Sequence, residues 1–317
     1  RLIFIALLAS AAALLAASTT SSAPLFLLAA FCIGLGSVAA QIQVPFAAHL
    51  SRPETRGQSV GKVMSGLLLG IMLARPVSSL VADALGWHAI FIISAATTAA
   101  LALLLRSRLP QRVPEGGMHY FELLGSMWHL LKTTPILRRR AAYQACMFGA
   151  FSLFWTCVSL ELTGPYLQLS QSGVAIFALV GVAGAIASPI AGRRADHGKS
   201  RSNTVIALSL GAIAFLLPLL IHVNRLVDLG ILVVASIVLD AGVSANLVTG
   251  QRAIFALPAE IRSRLNGLYM ALFFMGGALG SSLGGWMFAH HGWQGVLLTG
   301  LAFPLVALLV FATERRA

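Results

Sequence analysis

Charge is scarce in this sequence. Only 10% of its 317 residues are Asp, Glu, Lys or Arg, against about 25% in a soluble globular domain. Hydrophobic residues make up 58%, which excludes water as the main solvent of the fold. Acids are the scarcer sign: ten Asp and Glu face 22 Lys and Arg, a net charge of +12. Such a balance suits nucleic acid only when the basic residues share one soluble face with stacking aromatics. Here they sit in short turns between apolar runs, so nucleic acid is excluded as a partner. The three cysteines, Cys32, Cys146 and Cys157, lie inside apolar runs without metal-ligand spacing, and read as small packed hydrophobes. No nucleophile elbow, phosphate-binding glycine loop or metalloprotease helix occurs. The chain is therefore not read as an enzyme or an ATP-driven pump, and no cofactor is expected. His290 and His291 form a turn with no further ligand nearby in sequence, so no metal is expected either.

What is present is a succession of ten apolar segments: 2–18, 24–49, 61–84, 88–106, 140–160, 172–191, 203–222, 228–249, 266–289 and 294–312. Most can cross ~30 Å of hydrocarbon at 1.5 Å per residue. The alternation of membrane strands is absent, which leaves helices. The predicted fold class is an all-α polytopic membrane protein with ten transmembrane helices. When the turns are assigned alternately to two sides, 20 of the 22 basic residues fall on one side and only Arg225 on the other, with Arg75 inside a helix. That asymmetry predicts a cytoplasmic location for both ends of the chain.

A constant offset of 206 relates the two halves: Arg56, Gly61, Gly70, Gly86 and Trp87 recur as Arg262, Gly267, Gly276, Gly292 and Trp293. The repeat also pairs 2–18 with 208–224, which argues against reading the first segment as a signal peptide. Segments 140–160 and 172–191 map to positions before residue 1. The expectation is a six-plus-six protein without its first two helices. Residues 1–106 would be an incomplete bundle equivalent to helices three to six, 107–139 a cytoplasmic linker, and 140–317 a complete six-helix bundle. Within the linker, residues 119–131 fit either a short interfacial helix or a docked loop.

Parallel six-helix halves joined by a basic loop resemble the major facilitator superfamily. Gly192, Asp196, Gly198, Lys199 and Arg201 resemble its cytoplasmic signature in the second half. Gly34, Gly36 and Pro45, with the loop that carries Arg56 and Gly57, resemble helix four and the loop after it. Gly66, Gly70 and Pro76, then Gly86 and Trp87, resemble the helix-five motif of its antiporters, which implies the efflux branch of drug, sugar and nucleoside exporters. Ala30 stands where the helix-four pattern usually has an Arg, and Ser78 and Ser79 replace the paired glycines after Pro76.

Several polar residues inside apolar segments are candidates for substrate or ion contact. Arg75 and Asp240 are intramembrane charges, which are costly unless they face a cavity or a partner. Each fits either a substrate or coupling role, or a structural bond between helices. Gln41, Gln43, Asn246 and Gln251 carry polar groups that could orient a neutral solute or join helices. Glu161, near the outer end of its segment, reads as solvated. Gly276, Gly280 and Gly284, spaced by four, form one bare ridge for close helix packing, and Gly66, Gly70 and Pro76 read similarly. Phe148, Phe151, Phe154 and Trp155 stripe one helix, as a stacking surface or as core. The cytoplasmic signature with Arg56 and Gly57 fits a conformational latch.

The resemblance implies secondary active transport: a monomer in the bacterial inner membrane exporting a small organic solute by alternating access, with protons as coupling ion. Without the first helix, which lines the cavity in this superfamily, the chain as given would be inactive. An uptake permease, or a membrane sensor that retains the fold without transporting, are the alternatives.

Overall fold

The computed structural model describes residues 2–39, 43, 66, 70, 73–74, 76–108, 120–181, 190 and 200–314. The regular structure among the described residues is helical: α1 Leu2–Thr19, α2 Ala23–Gly36, α3 Pro76–Leu85, α4 Trp87–Arg108, α5 Tyr120–Thr133, α6 Pro135–Thr163, α7 Gln171–Gly181, α8 Ser200–Leu220, α9 Arg225–Phe255 and α10 Arg262–Ala312. Six of them, α1, α4, α6, α8, α9 and α10, are long and apolar enough to cross a membrane. Local chemistry sets the starts. Pro135 opens α6, where its missing N–H would be unbonded anyway. The Asn224 side chain caps α9 by accepting from the amides of Leu226 and Val227 at 3.1 and 3.0 Å.

Several helices outrun the apolar segments that announce them. α6 begins at Pro135 rather than 140, taking Arg138 to Arg140 into its first turns, and α9 runs over 225–255 rather than 228–249. Charge ends the match to hydrocarbon but does not end hydrogen bonding along a helix. α10 covers the segments 266–289 and 294–312 in one element, interrupted only at Gly292, whose φ of 61° is left-handed. Gly86, its counterpart at the offset of 206, has a φ of 82° at the α3–α4 junction. The repeat thus extends to backbone geometry: a left-handed glycine, accessible without steric cost only to that residue, followed in both halves by a tryptophan.

Two compact units emerge. The first comprises Arg1–Gly116 with Gln171–Ile176, and the second Gly117–Ser170 with Phe177–Ala317. In the first, α1 packs on α2 and α4. Leu7, Ala39 and Ala102 form its buried cluster, with Ile3, Phe4 and Leu105 against it. Phe26, Trp87 and Phe91 meet edge to face. In the second, α6 packs extensively on α10, and α8 on α9. Its largest fully buried side chains include Tyr143, Met147, Leu153, Phe154, Phe215 and Tyr269.

Candidate functional site

In the second unit, Gly276 and Gly280 of α10 lie so close to α6 that a Cβ on them would strike the carbonyls of Ala145 and Gly149, while one at Gly284 would meet Cys157 and Leu153 at 3.0 and 3.1 Å. α6 and α10 therefore approach backbone to backbone, as small residues allow in lipid. Gly66 and Gly70, in the first unit, are exposed, and no described atom lies within 4 Å of a Cβ built on either, whereas Pro76 is buried.

A second seam, between α6 and α9, carries polar groups. Trp155 of α6, almost fully buried, donates its indole Nε1–H to Oδ1 of Asp240 at 3.0 Å. Asp240 is half-buried and lies about 22 Å along α9 from either end, the depth of a membrane centre. Phe177 packs on Trp155 at 5.9 Å. Further along, Nδ2 of Asn246 donates to Oε1 of Gln144 at 2.6 Å, with both side chains buried. The remaining donor of Gln144, Nε2, is buried with no partner among the described residues. Thr249 is buried and turns back to the Ala245 carbonyl at 2.8 Å. Gln251 and, in the first unit, Gln43 are half-buried.

The structure thus joins Asp240 to Trp155 and Asn246 to Gln144, both times between α9 and α6. Gln144 was missed as a candidate, although an amide alone in the apolar run 141–160 is the same signal that singled out Asn246. The four aromatics of α6 do not act as one stripe. Phe148 stacks on Phe273 at 3.7 Å and Phe151 on Phe148 at 5.4 Å, whereas Phe154 is sealed among Phe215 and Trp293. Arg75, Gln41, Arg56, Gly57, Gly192, Asp196, Gly198 and Lys199 lie outside the described residues. Of the second-half signature, Arg201 is described: it donates to the Glu314 carbonyl at 3.3 Å and sits 4.8 Å over the Phe311 ring.

The two ends of the second unit differ chemically. At the basic end, Arg140 donates to the buried Thr204 hydroxyl at 2.5 Å, and Tyr143 to Glu314 at 3.3 Å. At the opposite end a cavity of about 60 Å³ is walled by Glu161, Tyr166, His222, Asp228 and Trp293 with aliphatic neighbours. Glu161 is half-buried on that wall rather than fully solvated. The 164–170 turn is held by Tyr166, which donates to Asp228 at 2.8 Å, and by Arg225, which donates to the Leu167 carbonyl. The bond to the Asp228 carboxylate pushes the Tyr166 phenol above its ordinary value, so it stays a donor. Asp228 also accepts from the Val223 amide at 3.1 Å, with His222 3.6 Å away. Among the described residues no group of His, Cys, Asp and Glu is arranged to hold a metal ion. His290 instead turns to the Trp286 carbonyl at 2.8 Å.

Comparison with known proteins agrees with this geometry. The family model described as Major Facilitator Superfamily matches residues 1–227 and again 142–317. Escherichia coli O157:H7 has an "Uncharacterized transporter YgaY" that is 38% identical over 311 residues, covering 98% of this chain and 78% of that protein. The "Probable transporter SCO4007" of Streptomyces coelicolor is 30% identical, covering 82% and 60% respectively. In fold, the chain is similar to a bacterial homolog of the human lysosomal transporter Spinster in an inward-facing, occupied conformation, with a TM-score of 0.73 at 15% identity over 98% of this chain and 81% of that one. It is also similar to the nucleoside transporter NupG, with a TM-score of 0.70 at 15% identity over 98% and 82%. Ten described helices, six of them apolar enough to span a bilayer, and matches that cover the whole length lead to one conclusion: the chain is an integral membrane transporter belonging to the major facilitator superfamily.

Proposed function

We propose that this transporter is a secondary active exporter of a small organic solute, of the drug, sugar or nucleoside type, driven by protons and acting as a monomer in a bacterial inner membrane. The basic ends of its helices face the cytoplasm, by the charge asymmetry of the turns. Residues 1–106 and 140–317 are the two bundles of the fold, joined by the linker 107–139. The cytoplasmic signature, Gly192, Asp196, Gly198, Lys199 and Arg201 together with Arg56 and Gly57, latches one conformation.

The observation that carries this reading is the pair Asp240–Trp155. A charged Asp at mid-membrane costs ~2.5–3.5 kcal/mol. A hydrogen bond to a charged group returns ~1.5–3 kcal/mol, so the indole N–H nearly offsets the penalty. An acid held at mid-membrane by a neutral donor is the kind of group a proton-coupled carrier uses. Asn246 and Gln144 supply the neutral polar contacts, and Arg75, Gln41, Gln43 and Gln251 are the further candidates for solute or ion contact. The test is proton flux in proteoliposomes, read with a trapped pH dye while nucleosides, sugars and cationic drugs are offered in turn. Asp240→Asn is expected to abolish solute-dependent proton movement and leave solute binding in place. Full proton-coupled transport by that variant would overturn the assignment.

A further inference from the structure

Helix α5 has two apolar faces, and only one is covered by described residues. Leu130 and Leu131 pack against the cluster of Leu137, Ala141, Ile254, Leu265 and Tyr269. Met127 reaches within 3.7 Å of the Cβ position of Gly267. On the other side Phe121, Leu124 and Trp128 are 83%, 44% and 59% exposed. Their spacing of three and four residues aligns them in one stripe along the helix. Lys132 continues that stripe, its Nζ 4.8 Å over the Trp128 ring. The one acid of α5, Glu122, lies in its first turn, ten residues from Lys132, where the helix dipole favours it.

The depth of α5 is set by its connection. One extended residue, Thr134, separates it from α6. At 29 residues α6 is about 44 Å long, more than the ~30 Å of hydrocarbon, and Arg138 to Arg140 occupy its first two turns. Those turns belong at headgroup level, and α5 with them. Arg138 is exposed there, and Nη1 of Arg139 is buried with no acceptor among the described residues. An apolar aromatic stripe beside the exposed cations Lys132 and Arg138 fits a surface that is greasy below and anionic above.

We infer that α5 is an interfacial helix that docks on anionic phospholipid, with Phe121, Leu124 and Trp128 entering the acyl boundary and Lys132 and Arg138 meeting headgroup phosphate. The inference concerns lipid recognition and is independent of which solute is carried. The test uses the full chain in nanodiscs of phosphatidylcholine, with and without phosphatidylglycerol. Amide hydrogen exchange over 120–133 is expected to slow about fivefold for each basic residue that meets the anionic lipid, with 141–160 unchanged. Trp128 fluorescence, isolated as the difference from Trp128→Phe, is expected to be quenched by lipids brominated near the headgroup. Lys132→Gln should weaken the preference for phosphatidylglycerol and keep the quenching. Equal exchange in both lipids would overturn the anionic preference. Absence of quenching would overturn the docking itself and place another part of the chain, or water, over the stripe. The exchange arm is read on the unmodified chain, so it does not hang on a variant that fails to fold.

Discussion

In the second unit, α6 and α8 each bury half of their most apolar stretch inside the protein, whereas α4 of the first unit, as apolar as α8, buries 11%. Greasiness therefore does not decide which helices find protein neighbours. Shape does. In the second unit aromatic and thioether side chains press onto glycines, Phe148 on Gly277, Phe303 on Gly149, Phe215 on Gly300 and Met147 on Gly211. In the first unit the comparable fit is Gly36 on Ser10. The offset of 206 sharpens the contrast. Gly276 meets the Ala145 carbonyl, but no described atom lies within 4 Å of a Cβ built on its counterpart Gly70. Chemistry is unequal too: Gly34 stands opposite Asp240, and Ala40 opposite Asn246.

The largest effect is expected where this contrast is sharpest. Gly280→Ala forces α6 and α10 apart and should cost about 1–3 kcal/mol or more. Gly70→Ala should be neutral or stabilising by up to about 1 kcal/mol, since the helix gains propensity and nothing is displaced. Thermal unfolding in detergent reads both. Equal losses would erase the distinction between a packed and an open ridge.

Next come the amides. Gln144→Leu leaves the Nδ2 of Asn246 buried without its acceptor, which costs about 1–3 kcal/mol, while the double change with Asn246→Leu removes both partners and should recover most of that loss. A double-mutant cycle on unfolding measures the coupling. Additive losses would mean that the two amides are not energetically joined.

The two left-handed glycines test what the halves share. Gly86→Ala and Gly292→Ala each place a Cβ where φ is positive, a backbone strain of about 1–3 kcal/mol. No described atom lies within 4 Å of either site, so backbone strain alone should act and the two losses should match. A much larger loss at Gly292 would show that its turn is also held by packing.

The sequence made the all-helical membrane fold and the repeat legible, because hydropathy over twenty residues and glycine spacing are local signals. That Gly86 and Gly292 share a positive φ came only from the structure; the sequence showed the recurrence of the Gly–Trp pairs and nothing of their backbone. Helix ends were less legible: Arg138 to Arg140 look like a loop by charge, yet a helix outlasts the hydrocarbon that surrounds it. Partners were least legible. Asp240 stood out as a charge, but only the packing of α6 on α9 brings the Trp155 indole to it. Glu161 looked solvated because nothing in a one-dimensional reading shows the cavity wall it shares with Tyr166, His222 and Asp228. Residues 119–131 stood undecided between helix and loop until α5 appeared over 120–133 with one face docked and one bare.

The smallest effect is expected at the far end of the second unit, where the turn after α6 is fastened to the start of α9. Asp228 there corresponds by the offset to Ser22 of the first unit, whose amide is held only by its neighbour Thr20 at 3.2 Å. Among the described residues the fastening is seen in the second half. Tyr166→Phe removes one hydrogen bond at a half-exposed site while Asp228 keeps its bond from the Val223 amide, so only a local loosening of the turn is expected. Hydrogen exchange over 164–170 should quicken accordingly, and over 224–230 it should stay as it was. Quickening of both stretches together would mean that Tyr166, rather than the Val223 amide, is what holds the Asp228 corner in place.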